Sequence, residues 1–334
     1  MKPTIYDVAR EAGVSIATVS KVINNTGRIS EKTRQKVLKV MKQLDYQPSI
    51  LASALTGKHT YTIGLLIPDI ANPFFAELSR RVEDRGQELG FSVVMCSTDN
   101  DPDKTVRYIT LLKQKSVDGI ILASSFENHQ VLKGLLEENF PIALISQEIP
   151  SLAIDSVTVD DFLGGYQVTE YLLQLGHQKI AIVAEKAPSN QKRMDGYRKA
   201  IADANVEMKE NYMAITQATV EGGYHCANQL FDLPEPPTAI FACNDLIAIG
   251  VIKAARERNL KIPNDLSVVG FDNTFMAEMV DPPLSSVQQP ICEMSRQVVD
   301  LLVKKIQGEK SRKRVVLLPE LVVRKSTMPP EEQQ

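Results

Sequence analysis

Apolar positions in the first 45 residues recur at helical spacing, whereas from residue 61 onward they come in short blocks. In VAREAGVSIATVSKVINN (residues 8–25), Val8, Ala9 and Ala12 supply the apolar face of one short helix. Val14, Val19, Val22 and Ile23 supply that of a second. Gly13 permits the left-handed residue that ends the first helix, and Ser15 is placed to cap the second. Thr4 and Asp7 make a capping-box-like start. A third helix is predicted from a Ser30 cap to about Asp45, with Val37, Leu38, Met41 and Leu44 inward and Pro48 as its stop. Ile16, Ala17, Ser20 and Lys21 are left outward on the second helix, where a solvated face usually mixes Glu and Lys. Three short helices with a glycine turn predict a helix-turn-helix, whose second helix presents such residues to base edges.

Ser49–Gly57 (SILASALTG) has a possible cap and a possible stop, but it is too short to be stable as an isolated helix. Beyond it, TIGLLIP, FSVVMC, DGIILA and PIALIS read as strands, with helices from about Pro73, Asp103 and Asn128. The pattern restarts with KIAIVAE, TAIFAC and LSVVGF. This alternation predicts parallel sheets covered on both faces, in two Rossmann-like subdomains. Ligands of such sheets sit beyond the carboxyl ends of the strands. Polar residues recur there: Asp69, a loop ending in NQKRMDGY, Asn244 and Asp245, Asp272 and Asn273, Gln288 and Gln289. Some of these will only cap the following helix.

Charge sharpens the division. The net charge of -3 hides ten Lys and Arg against four acids in residues 1–60, a balance of +6. The remainder carries 28 against 37, or -9. A basic head on an acidic body fits a polyanion-binding module joined to a soluble domain. Composition adds mainly exclusions. No secretory leader pattern and no 18-residue apolar run is present, so a cytoplasmic protein with no membrane partner is expected. Cys96, Cys226, Cys243 and Cys292 lie far apart and are expected to be reduced thiols. The four histidines have no metal spacing. No Gly-x-Gly-x-x-Gly fingerprint, nucleophile elbow or phosphate loop occurs, so no metal, cofactor or enzymatic activity is expected. His177 in LGH is expected to end a helix and serve structure.

TIYDVAREAGVSIATVSKVINN, followed by ISEKTRQKVLKVMKQLDYQPS and LASALTGK, closely resembles the headpiece of the LacI/GalR (lactose-repressor/galactose-repressor) transcription factors, and the resemblance runs to about Thr327. It implies an all-α helix-turn-helix headpiece (1–48), a hinge helix and linker (49–60) and an α/β periplasmic-binding-protein-like core (61–328). The N-subdomain would comprise about 61–160 and 291–317, and the C-subdomain about 161–290 and 318–328. The implied DNA-contacting residues are Thr4, Tyr6, Ser15, Ile16, Ala17, Thr18, Ser20, Lys21, Asn24 and Arg28. Ala52 and Leu55 of the hinge would meet the minor groove, Leu55 as a wedge that kinks the duplex. The implied effector site has an apolar wall of Phe74 and Phe75, a clamp at Arg193, and Asn244, Asp272 and Gln289 opposite. Asp160 would lie near the crossover, with hydroxyls from Ser124 and Ser125.

The chain departs from the family pattern at three places. Lys21 stands where the family usually has Arg, and Lys lacks the planar fork that meets guanine. Ser146 stands where many sugar-binding members have an acid, and Ala218 where many have a stacking aromatic. Arg193, read as loop-borne, could instead form a structural ion pair with Asp195 or Glu185. The expected function is a DNA-binding transcriptional regulator, a repressor, acting as a homodimer on pseudo-palindromic operator DNA and modulated by a small metabolite. A dimer is favoured over a tetramer because no heptad-rich tail follows KSTMPPEEQQ. The alternatives are control by a protein co-effector, as in carbon-catabolite regulators, and, more distantly, a solute-binding protein.

Overall fold

The structure is a computed structural model that describes residues 3–23, 27–46, 59–123, 129–310 and 312–330. The chain divides into two compact units, 1–60 and 61–334.

In the first unit α1 (Ile5–Ala12), α2 (Ile16–Ile23) and α3 (Glu31–Gln43) follow one another. Asp7 closes the start of α1 by accepting from the Thr4 N–H at 2.9 Å and the Thr4 hydroxyl at 2.7 Å. Gly13 sits at φ 60, and the Val14 N–H reaches back to the Ala9 carbonyl at 3.0 Å, so the chain turns within two residues. The Ser15 and Ser30 hydroxyls accept from the Thr18 and Thr33 N–H groups, starting α2 and α3. Val8, Ala9, Ala12, Val19, Val22, Val37 and Val40 form the small core. Leu38, expected inward, is exposed: Val37 and Val40 take the buried face of α3 and turn their neighbour outward.

The second unit holds two six-stranded sheets. The first contains β1 (Thr62–Ile67), β2 (Ser92–Ser97), β3 (Gly119–Leu122), β4 (Ile142–Ile145), β5 (Asp155–Val159) and β11 (Arg314–Leu317), in the order β11-β5-β4-β3-β1-β2, all parallel. The second contains β6 (Ile180–Glu185), β7 (Met213–Thr216), β8 (Ala239–Ala242), β9 (Ser267–Asp272), β10 (Ser285–Gln288) and β12 (Glu320–Val322), in the order β12-β10-β9-β8-β6-β7. Only β12 runs antiparallel. The chain passes between the sheets after β5, after β10 and after β11. β5, β7, β11 and β12 are not among the strands that the apolar pattern predicts.

Helices cover both sheets, as continuous apolar strands require. They are α4 (Pro73–Glu88), α5 (Pro102–Gln114), α6 (His129–Glu137), α7 (Asp161–Gln174), α8 (Pro188–Asp203), α9 (Val220–Phe231), α10 (Asp245–Glu257), α11 (Phe275–Met279) and α12 (Ile291–Ile306). The core of the first sheet packs on α4 and α12. Under the second, α7 and α8 cross backbone to backbone. A Cβ on Gly165 would strike the Arg193 carbonyl, and one on Gly196 the Phe162 carbonyl. That crossing brings the first turn of α7 beside the second turn of α8.

His177 is buried just after α7 and ties the C-terminal segment down. Its Nδ1 pairs with Thr238 Oγ1 at 2.9 Å, and its Nε2 lies 3.0 Å from the Met328 carbonyl. Burial lowers its pKa, so the ring is held neutral. The four cysteines are free thiols. No helix among the described residues is long and apolar enough to cross a membrane.

Candidate DNA-reading surface and ligand cleft

α2 is buried on one side through Val19 and Val22 and open on the other. Ile16, Ala17 and Lys21 are exposed, as is Ser15 beside them, and Thr18 and Ser20 are half-buried or nearly so. Ile16 is 41% accessible although it is a large aliphatic, so apolar surface stands free at the start of the helix. Thr4, Tyr6 and Arg28 belong to the same unit, and Tyr6 is exposed. The aliphatic stem of Lys21 lies over Gly27, whose φ of +74 needs no side chain there. Asn24, Ala52, Leu55 and the expected hinge helix fall outside the described residues.

In the second unit a cavity of about 700 Å³ opens at the carboxyl ends of the strands. Pro68 follows β1, Ala123 follows β3, Ser146 follows β4, Glu185 and Asp272 close β6 and β9, and Gln289 follows β10. Phe74 and Phe75, in the first turn of α4, form one wall, their rings edge to face at 5.0 Å. The Asn72 side chain accepts from the Phe74 N–H and fixes that turn.

Arg193 corrects an expectation. It sits in α8, which starts at Pro188, and not in a loop. Its Nε donates to Asp161 Oδ1 at 2.8 Å, its Nη1 to the Cys243 carbonyl at 2.5 Å, and its guanidinium lies 3.5 Å over the Phe271 ring centroid. Both charged side chains are 6% accessible. Arg193 therefore has a structural partner, Asp161, rather than Asp195 or Glu185, while it still lines the cavity. Burial pushes the Asp161 carboxyl up and Arg193 opposes that shift.

Asp160 is also corrected. It caps α7 by accepting from the Leu163 N–H at 2.9 Å, whereas its neighbour Asp161 lines the cavity. A cap and the first helical residue point different ways, so two adjacent acids take different tasks.

Asp272 is buried at the end of β9 with φ 103, a backbone that L residues rarely adopt. It accepts from Gln289 Nε2 at 2.8 Å. Burial, against the opposing pull of Arg193, pushes its carboxyl up to about 8. The Asn244 side chain accepts from the Ile247 N–H to cap α10 and also lines the cavity. Asp245, one residue on, turns inward to Ser286 and Thr274. Ser146 and Ala218 both line the cavity, so two of the departures from the family pattern fall on the site. Ser124 and Ser125 lie outside the described residues. The cavity also takes in Glu185, Asp161 and Asn190, which the sequence reading does not single out as site residues. For Glu185 a signal exists, since it is the last residue of KIAIVAE.

A helix-turn-helix head with a two-sheet, cleft-bearing body defines the class of DNA-binding transcriptional regulators with a periplasmic-binding-protein-like core. Residues 4–49 match the family of bacterial regulatory proteins, lacI family, and residues 169–327 match the periplasmic binding protein-like domain. The chain is 50% identical over 335 residues to the HTH-type transcriptional regulator DegA of Bacillus subtilis (strain 168), covering 98% of this chain and 99% of that protein. It is 36% identical over 322 residues to catabolite control protein A of Priestia megaterium, covering 96% and 97%. Among solved structures it is similar to the lac repressor dimer bound to operator and the anti-inducer ONPF. That likeness has a TM-score of 0.88, with 28% identity over 98% of this chain and 100% of that one. The chain belongs to the LacI family and is a DNA-binding transcriptional regulator, not an enzyme.

Proposed function

We propose that the protein acts as a homodimeric repressor whose α2 reads a pseudo-palindromic operator and whose cleft binds a small polar metabolite that changes operator affinity. The observation that carries this reading is the pairing, in one chain, of an exposed apolar-and-cationic α2 with a cavity into which buried polar side chains are turned. Ile16 and Ala17 suit the apolar edge of thymine, Lys21 suits guanine or a phosphate, and Thr4, Tyr6, Ser15, Thr18, Ser20, Asn24 and Arg28 serve the backbone and flanking bases. Ala52 and Leu55 act at the minor groove where the hinge forms on DNA. In the cleft, Phe74 and Phe75 give the apolar wall, and Arg193, Asn244, Asp272 and Gln289, with Asp161 in place of Asp160, give the polar contacts.

The dimer is supported by exposed apolar residues at two places, Val94 and Met95 on the edge strand β2 and Phe275 and Met279 on α11. It is supported also by the likeness to a repressor solved as a dimer on operator. Selection of duplexes from a random pool tests the reading. An inverted repeat should be enriched, with affinity falling steeply as salt rises, at a log–log slope of about -0.9 per phosphate contacted. Enrichment of a single half-site, or a flat salt dependence, contradicts it.

A further inference from the structure

One carboxylate of the cleft stands apart from the others. Asp161 and Arg193 offset one another. Asp99 is paired with Lys104. Glu185 is different: it lines the cavity, it is half-buried, and its carboxylate has no hydrogen-bond or ion-pair partner among the described residues. Its backbone N–H is held by Asn190 Oδ1 at 3.1 Å, which fixes where the side chain starts. Asp272, at the same cavity, accepts from Gln289 and is pushed up to about 8 by burial, so it adds little charge at neutral pH.

The cavity is correspondingly poor in places for an anion. Among the described residues its cations are Arg193, already engaged, and Lys186, at the rim. At the N-termini of α4, α9 and α10, Asn72, Thr219 and Asn244 each occupy one of the amides. α5 and α7, whose first residues Pro102 and Asp161 also line the cavity, are capped by Asp101 and Asp160, and α8 begins with Pro188, which has no N–H. A phosphate or carboxylate would have to be desolvated beside Glu185, with Arg193 already holding Asp161 and the Cys243 carbonyl and with Lys186 exposed at the rim. Ala218 removes an aromatic platform, so polar contacts must select the ligand.

Resting on the reading of this cleft as the effector site, we propose that its ligand is a polyhydroxylated molecule carrying an amine, and that Glu185 selects the amine. Glu185 accepts a charge-assisted hydrogen bond from the ammonium group. Asn244, Gln289 and the remaining Arg193 hydrogens meet hydroxyls. Phe74 and Phe75 cover the carbon skeleton.

The test compares matched probes on the full-length protein by titration calorimetry. They are glucose, glucosamine and glucose 6-phosphate, with the galactose series beside them. An amino sugar is expected to bind about tenfold or more tightly than its neutral parent. The phosphates should not bind. Glu185→Gln should bring the amino sugar down to the level of the parent, while melting curves of the ligand-free variant monitor folding. A phosphate or neutral member that equals its amine counterpart overturns the proposal, as does an amine preference that survives Glu185→Gln. Failure of every amino sugar overturns it too. Operator binding, and its response to a low-molecular-weight metabolite fraction, are measured on the same samples. A retained response with no amine preference rejects the ligand class alone, whereas loss of any response rejects the cleft as effector site.

Discussion

The head and the body use polar residues in opposite ways. In the head every buried side chain among the described residues is apolar, a core of seven small aliphatic residues, and Ile16, Ala17 and Lys21 of α2 lie exposed at the surface. In the body the proposed polar contacts are buried: Arg193, Asn244, Asp272 and Gln289 all lie below a tenth accessible. Burial of such groups is tolerated only when they are hydrogen-bonded or paired. Ile16, Ala17 and Lys21 can therefore change without disturbing the fold of the head, whereas Arg193, Asn244, Asp272 and Gln289 hold up the structure that they serve.

The largest effect should come from Arg193→Ala. Removing the guanidinium leaves Asp161 and the Cys243 carbonyl buried without their donor. Breaking such a pair costs about 3–5 kcal/mol, equivalent to a fall of roughly 10 °C in Tm for a body of this size. Adding Asp161→Asn should recover part of the loss. An unchanged Tm in the single variant would show that the pair carries no stability and would break the contrast between head and body.

Next comes the head's core. Val19 is fully buried in a core of seven residues. Val19→Ala removes two methyl groups' worth of buried carbon and should cost about 2 kcal/mol. So small a unit cannot absorb that. Operator binding should be lost while the melting transition of the body stays in place. A shift of both transitions would mean that the units do not fold separately.

A smaller effect concerns pH. Asp272 has its pKa raised in the folded protein, to about 8, above the ordinary carboxylate value. The folded state therefore binds its proton more tightly than the unfolded state does. The stability linked to that proton is full below the ordinary carboxylate value and is lost as pH rises through about 8. His177 has the opposite consequence: its pKa is lowered, so its contribution is present above the ordinary histidine value and is lost as pH falls below it. The body's Tm should decline as pH rises from the ordinary carboxylate value of 3.8 to about 8 and level off above it, and Asp272→Asn should flatten that limb alone. A limb that persists in the variant assigns the titration to another group.

The same contrast explains what the sequence makes legible. The head is a continuous motif whose caps, turn and apolar spacing lie within 45 residues, and its structure follows them closely. Leu38 departs from that agreement because it neighbours Val37, and spacing alone does not decide which of the two an exposed three-turn helix buries. The cleft is legible in two ways. The rule that strand ends carry ligands marks Asn244, Asp272 and Gln289, and it puts Arg193 in a loop although Pro188 marks a helix start. The family resemblance adds Phe74, Phe75 and Asp160, and it cannot separate Asp160 from Asp161, because either of two adjacent acids can cap a helix. β11 and β12 are four and three residues long and belong to sheets built by distant segments, so nothing local announces them.

The most direct test of the division of labour measures operator affinity for wild type, Lys21→Ala and Asp272→Asn, with and without a low-molecular-weight metabolite fraction. Lys21→Ala should weaken the operator complex about tenfold or more and keep the fractional response to metabolite. Asp272→Asn should bind the operator and lose most of the response, because the ligand no longer distinguishes the two states of the core. If Asp272→Asn responds as wild type does, or if Lys21→Ala loses the response while keeping affinity, then reading DNA and sensing metabolite are not divided between the head and the cleft.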